Sequence, residues 1–339
     1  MSDLVKRKTE HLEVMLTQDV RSECGTGFEE MAFEHVALPE IDFAEIELSR
    51  DFLGRKLDAP FLISSMTGGP EEAGRINENL ARAAGRLGIA FAVGSQRVAI
   101  DGRSQAGFSR TLKDHMGEAP LLANFGGAQL RGEGGLDMAQ RVVEMIGADA
   151  LIIHLNPLQE AVQHGGDRNW SGLLARIEAL VKEMAVPVIV KEVGFGISGR
   201  MAKELWRAGV RIIDVAGAGG TSWAAVEAGR APNARLRGIA ETFRGWGIPT
   251  ARAVAEVRGV CPHATVIASG GIRSGLDAAK AIRLGADLVG QAAGVLASAL
   301  DSEEAVIAHF EDRIAELRIA CFCTGSANLH ELRRARLLD

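Results

Sequence analysis

A (β/α)8 TIM barrel, an α/β fold, with an amino-terminal arm and closing carboxyl-terminal helices, is the fold class that three observations predict. From residue 60 onward, short β-branched apolar runs alternate with amphipathic segments of helical period, eight of the former in all. These units occupy about 240 residues, the size of one closed barrel. Most of the apolar runs also end in Gly, Ser or another polar residue, as the carboxyl ends of buried parallel strands do where they open into a site.

In order along the chain, the first strand-like run is 60–63, and it leads into Ser64-Ser65-Met66-Thr67-Gly68-Gly69. A helical pattern over 71–87 follows. The second run, 89–93, opens into Gly94-Ser95-Gln96-Arg97, and the third, 121–124, ends on Asn124. After a helix over 136–146 comes 150–155, whose apolar residues break within a few positions into His154, Asn156, Gln159 and Glu160. Four polar side chains at the end of a buried strand need a ligand, a metal or one another. Helix 173–184 leads to strand 188–193, which carries Lys191 inside it; helix 199–208 leads to strand 212–215. A long connection, 217–246, comes next and reads as a lid or mobile segment. Helix 251–257, strand 265–268, helix 275–284 and strand 288–290 complete the eight, and 303–318 and 326–338 read as two closing helices. No linker divides the chain, so residues 1–59 form an arm on a single barrel domain, 60–339.

The 339 residues carry a net charge of -6, which disfavours nucleic acid as a general partner and points to a small molecule. No stretch has the roughly 18 uninterrupted apolar residues of a membrane span. The four cysteines lack paired zinc spacing, and the first residues lack the apolar core of a secretory signal, so the cytoplasm is the expected compartment. Cys321 and Cys323, two apart on a helix, point in different directions and read as packing.

Two glycine-rich stretches compete for a phosphate. Gly194-Phe-Gly196-Ile-Ser-Gly199 after a strand, with Asp214 twenty residues beyond, imitates a dinucleotide fingerprint. Four strand and helix units already precede it and Lys191 lies inside its strand, so a barrel turn explains it better. Ser269-Gly270-Gly271-Ile272-Arg273 after the seventh strand and Gln291-Ala292-Ala293-Gly294 after the eighth fall where barrels build phosphate sites. The hydroxyls, Asn124 and Lys191 at the other strand ends suit a flat heteroaromatic cofactor with carbonyl acceptors; otherwise Lys191 pairs with Glu192 or Asp214, and strand alternation weakens the first. Lys6-Arg7-Lys8-Thr-Glu-His11 is a second anion grip if the arm, placed ahead of the first helix, folds over the barrel mouth.

These residues together resemble the type 2 isopentenyl diphosphate isomerases, flavin-dependent enzymes of isoprenoid biosynthesis. The matches are Arg7-Lys8-x-x-His11, Ser65-Met66-Thr67-Gly68-Gly69, Gly94-Ser95-Gln96-Arg97, Asn124, His154-Leu-Asn156-Pro-Leu-Gln159-Glu160, Lys191-Glu-Val-Gly194, Gly219-Gly220-Thr221-Ser222 and Ser269-Gly270-Gly271-Ile-Arg273, in order over nearly the whole chain. The late phosphate segment is shared with other FMN barrels, whereas the arm and 154–160 select this family. The resemblance implies FMN contacts at Ser65, Met66, Thr67, Ser95, Asn124, Lys191 and Thr221, with the flavin phosphate against Gly271, Ile272, Arg273, Ala292 and Ala293. It implies that Arg7, Lys8, His11, Ser95, Arg97, His154, Asn156 and Gln159 hold a diphosphate substrate, and that Glu160 binds a bridging Mg2+.

The implied reaction is the 1,3-allylic proton shift between isopentenyl and dimethylallyl diphosphate, with reduced FMN as acid and base and NADPH as the reductant of the flavin. Gln159 and His154 are the expected catalytic residues: Gln159 orients substrate, and His154 with Arg7 and Lys8 neutralises the diphosphate. Family members imply a homo-oligomer, a tetramer or larger. Two departures stand out. Ala216 replaces a serine common near the flavin, and His164-Gly165 occupies a stretch often written Pro-Glu. An FMN-dependent 2-hydroxy-acid oxidase is the nearest alternative, but its histidine base belongs after a late strand, and His263 precedes the seventh. A nucleotide dehydrogenase of this fold wants a cysteine in 217–246, which has none. A flavin-binding protein without activity would have no use for Glu160.

Overall fold

The computed structural model describes residues 3–66, 72–100, 102 and 107–338. Among them, a two-stranded hairpin, β1 (Arg50–Phe52) and β2 (Arg55–Leu57), precedes eight parallel strands that close into a barrel. These are β3 (Phe61–Ile63), β4 (Ala90–Ala92), β5 (Leu121–Gly126), β6 (Ala150–Leu155), β7 (Val188–Glu192), β8 (Ile212–Asp214), β9 (Thr265–Ser269) and β10 (Leu288–Gln291). Each pairs with its sequence neighbour, and β10 closes on β3. All eight expected strands and the six helices between them are present within one to three residues of their expected ends.

The alternation of side chains along each strand sorts the core into two layers. One position of each strand, such as Phe61, Phe91, Leu151 or Val190, faces the surrounding helices. The next faces inward: Leu62, Ala90, Leu122, Ile152, Ile189, Ile212, Ile267 and Leu288 fill the interior. Phe52 and Leu57 of the hairpin join that interior cluster and plug the amino-terminal mouth. Below it, the buried Asp287 gathers Arg50, Arg258 (2.6 Å), Arg333 (3.0 Å) and the Val266 N–H (2.9 Å). Asp149 likewise accepts from Arg55 and Lys113, so one mouth is sealed by packing and ion pairs. The opposite mouth is left for a site.

Three expectations change. The cationic run of the arm lies within a helix, Asp3–Thr17, rather than ahead of one. The connection 217–246 carries two helices, Trp223–Gly229 and Ala234–Glu241, instead of an open lid; Ala225 and Val226 pack against Val14 and Val20. The last expected helix shrinks to Leu329–Leu332, capped by Asn328, because the chain then runs extended to pair Leu337 with Phe33. Among the described residues, no helix is long and apolar enough to cross a membrane.

Candidate active site

Two residues beyond six of the eight inward apolar residues, the same interior column turns polar. Leu62 is followed by Ser64, Leu122 by Asn124, Ile152 by His154, Ile189 by Lys191, Ile212 by Asp214 and Ile267 by Ser269. A parallel barrel in register places these ends together, and all but the fully buried Asp214 line the floor of a cavity of about 440 Å³ at the carboxyl-terminal mouth. Except for Thr67, which lies outside the described residues, every residue expected in the site lines this cavity.

On one wall, Gly270 (φ 100°) and Gly271 (φ 72°) turn the chain after β9 through left-handed conformations that other residues resist. Gly220 packs on this turn so closely that a Cβ there would lie 2.6 Å from the Gly271 nitrogen. Ser274 and Asp277 form a capping box at the helix Gly275–Arg283, and the Asp277 carboxylate also accepts from the Arg273 N–H at 3.0 Å. The Arg273 guanidinium donates to Gly219 O at 3.2 Å, and Gln291 ties Ile272 O at 3.2 Å to His309 at 2.7 Å. The result is a rigid backbone cradle with an arginine beside it, and Ala292 and Ala293 close it from the end of β10.

The cationic wall faces it from the amino-terminal helix and β4. Lys8 is buried and donates to Ser95 O at 2.7 Å; burial, with Arg7 and Arg97 nearby, lowers its pKa to about 7. Burial also lowers that of Arg7, although Glu160 and Glu227 oppose it. Arg97 is held by Asp167 at 3.1 Å, which also accepts from Gln129 at 3.0 Å. His154 does not join this group as a cation. Burial, then the charges of Lys191, Lys8 and Arg97, push its pKa down to about 3. Its Nδ1–H donates to Asn124 Oδ1 at 2.7 Å, so the neutral ring presents Nε2 as an acceptor. The expectation that His154 supplies positive charge is corrected accordingly.

Strand β6 stops at Asn156 because Pro157 opens a short helix, Pro157–Val162, at its first position. That helix aims Gln159 and Glu160 at the cavity. Asn156 Nδ2 donates to Gln159 Oε1 at 3.0 Å and to Glu160 Oε1 at 3.1 Å. Glu160 Oε2 accepts from the Asp167 N–H at 2.7 Å and from Gln163 at 3.2 Å. Oε2 is thereby filled, and Oε1 keeps one lone pair for another partner. Among the described residues no three His, Cys, Asp or Glu side chains gather to hold a metal, so a cation here would need substrate oxygens and water beside Glu160.

Glu227 is the principal site residue that sequence reasoning missed. It is buried, on the helix Trp223–Gly229 of the supposed lid, and accepts from His11 at 2.8 Å, Gln159 at 3.1 Å and Arg230 at 2.7 Å. Burial disfavours its charge, but the bonds from His11 and Gln159 and the charge of Arg230 win and hold its pKa below the ordinary value. His11 stacks edge-on against Trp223, with ring centroids 5.1 Å apart. An acidic residue three positions before an arginine on a helix gives only a surface ion-pair signal in sequence; its burial comes from the amino-terminal helix lying over it.

The imitation dinucleotide loop wraps a carboxyl group of its own, Glu192, whose pKa burial raises to about 7 against the pull of the loop N–H groups. The N–H groups of Val193, Gly194, Phe195 and Gly196 all donate to Glu192 Oε2, at 2.6, 2.8, 2.5 and 3.2 Å. The loop's donors are therefore spent on a side chain of the preceding strand. Lys191 bonds the Glu192 backbone oxygen at 2.6 Å, not this carboxylate. His263, exposed ahead of β9, is at the far mouth from the cavity.

The model of the FMN-dependent dehydrogenase family matches residues 154–339. The chain is 59% identical to an isopentenyl-diphosphate delta-isomerase of Stutzerimonas stutzeri over 99% of its own length and 97% of that protein. It is 53% identical to one from Vibrio parahaemolyticus, with both chains covered in full. Among solved structures, a mandelate oxidase variant (TM-score 0.68, 18% identity, 99% of each chain) and a flavocytochrome b2 variant with sulfite bound (TM-score 0.71, 17% identity, 97% of this chain and 82% of that one) share the fold.

Proposed function

We propose that this chain, which belongs to the isopentenyl-diphosphate delta-isomerases within the FMN-dependent dehydrogenase family, interconverts isopentenyl and dimethylallyl diphosphate by a 1,3-allylic proton shift. The observation that carries the reading is one cavity with two separate anion grips. The glycine cradle at Gly270–Arg273 suits the phosphate of FMN, and the wall of Arg7, Lys8 and Arg97 suits a diphosphate.

Two features support the flavin. The hydroxyls of Ser64 and Ser65 are buried at the floor without hydrogen-bond partners, as donors awaiting ring carbonyls would be. The cradle glycines leave no room for a Cβ, so backbone N–H groups approach an anion directly. Ser65, Met66, Ser95, Asn124, Lys191 and Thr221 surround the space for the ring; Thr67 completes that set by resemblance. Reduced FMN supplies acid and base chemistry for an unactivated alkene, and NADPH serves to keep it reduced without being consumed in each turnover.

The chain's own groups position and shield. Gln159, held between Glu227 and Asn156, is a poor acid and orients the substrate carbons. His11 and Glu227 hold a proton between them at the edge of the cavity. Arg7, Lys8 and Arg97 bind the diphosphate, with neutral His154 accepting from a protonated oxygen or an ordered donor. Glu160 takes Mg2+ together with diphosphate oxygens. The enzyme acts in the cytoplasm on a small-molecule diphosphate, with neither nucleic acid nor membrane as partner, and as a homo-oligomer.

The test is purification for yellow colour, then assay of isomerisation under anaerobic NADPH with Mg2+. Turnover far exceeding NADPH loss supports the isomerase. Stoichiometric NADPH consumption, or a colourless protein that binds no FMN, overturns the reading.

A further inference from the structure

We infer that Asp214 is the buried counter-ion of Lys191 and cancels the charge that the barrel floor presents to the flavin, an inference that rests on the cofactor reading above. Lys191 and Asp214 are direct partners in the β7–β8 ladder. Both follow inward residues, Ile189 and Ile212, by two positions, so both side chains enter the same interior space. Asp214 has no exposed surface. Its Oδ1 accepts from the Ser269 hydroxyl at 2.6 Å and the Ala216 N–H at 3.2 Å, whereas Oδ2 has no hydrogen-bond partner.

A buried carboxylate oxygen without a donor persists only if a nearby cation compensates it or a proton neutralises it. Lys191 is the cation on that face. One of its N–H groups bonds Glu192 O, and no hydrogen bond joins it directly to Asp214, so the compensation acts through space across the ladder. The other acid beside it in sequence, Glu192, points to the opposite side of the strand and is engaged by four loop amides. The other ladder neighbour, His154, is neutral. Burial raises the pKa of Asp214 and the charge of Lys191 pulls it back, as expected of a pair whose members depend on one another.

The consequence concerns the cofactor's electronics. An ammonium without a partner stabilises negative charge on a reduced flavin ring, which favours reduction and weakens the ring's hold on its protons. A compensated pair keeps the local charge near zero and leaves those protons available for acid and base work. Asp214 is thus a positioning and charge-setting residue that acts through Lys191.

The decisive measurement is the midpoint potential of bound FMN in the wild type, Asp214→Asn, Lys191→Met and the double variant. Asp214→Asn shifts the potential to more positive values in the wild-type background and leaves it unchanged in the Lys191→Met background, where a lone buried Asp214 is already protonated. No shift, a negative shift, or an equal shift in both backgrounds overturns the inference. Thermal unfolding of the FMN-free chain supplies a second arm: the double variant melts above Lys191→Met, because removing both members of a buried pair is less costly than stranding one. A double variant that melts no higher than Lys191→Met also overturns it. A wild-type protein that binds no FMN defeats the cofactor reading alone, and the unfolding comparison still decides the pairing.

Discussion

Glu227 accepts a hydrogen bond from Gln159 Nε2 at 3.1 Å, joining helices 68 residues apart in the chain. An ionised carboxylate only accepts, so the amide of Gln159 must turn its nitrogen to Glu227 and its oxygen to Asn156. Glu227→Gln offers a donor as well as an acceptor and releases that orientation. The loss of one buried, charge-assisted bond is expected to lower kcat by about ten- to a hundredfold. Flavin absorbance checks that FMN remains bound; unchanged kcat would show that the orientation is irrelevant.

Glu160 keeps one free lone pair, on Oε1, after its bonds to Asn156, Gln163 and the Asp167 N–H. Glu160→Gln replaces one of those oxygens with an amino group and removes the charge. The Mg2+ concentration for half-maximal rate is expected to rise by roughly tenfold or more, in line with the loss of a hard anionic ligand. A metal titration that superimposes on the wild type removes Glu160 from the role.

Lys8 binds protons less readily than an ordinary lysine, with its pKa lowered to about 7 from 10.5 by burial and by Arg7 and Arg97. Between these two values the folded chain holds Lys8 neutral while the unfolded chain holds it charged, so folding there releases a proton, and this group's contribution to stability falls as pH drops toward 7. A diphosphate reverses the preference. Substrate binding above pH 7 is therefore expected to take up a proton and to weaken as pH rises, by up to about tenfold per unit. Calorimetry in buffers of different ionisation enthalpy measures the uptake, and Lys8→Arg is expected to abolish it.

Asp287 carries the amino-terminal mouth. Burial opposes its charge, but the Val266 N–H, Arg258, Arg333 and Arg50 together hold its pKa below the ordinary carboxylate value. Its contribution is present above the unfolded pKa of 3.8 and is lost only as pH falls through the lower folded value. Asp287→Asn strands three arginines and is expected to cost ~3 kcal/mol in urea unfolding at pH 7. An unchanged midpoint would make the cluster dispensable.

The strands were legible because a strand buried on both faces must be apolar at every position, and the polar residue at its end then stands out. Ile152 to His154 and Ile189 to Lys191 are such breaks, readable without coordinates. The cradle at Gly270 and Gly271 was equally plain, since only glycine tolerates those backbone angles so close to Gly220. Thus the eight strands and the mouth that carries the site followed from local chemistry, while the roles of individual site residues came from the family resemblance.

Other features depended on residues far apart in sequence meeting in space. Glu227 reads as a surface carboxylate until the helix Asp3–Thr17 covers it with His11. His154 reads as a cation until burial beside Lys191, Lys8 and Arg97 makes a further charge too costly. Strand alternation already disfavoured Glu192 as a partner for Lys191, but only the fold shows its carboxyl group taken by four loop amides and Asp214 beside Lys191 in the ladder. Hydrophobic pattern and backbone stereochemistry are local, and so they are written in the sequence. Protonation and partnership depend on the desolvation and fields of groups that only the folded chain brings together.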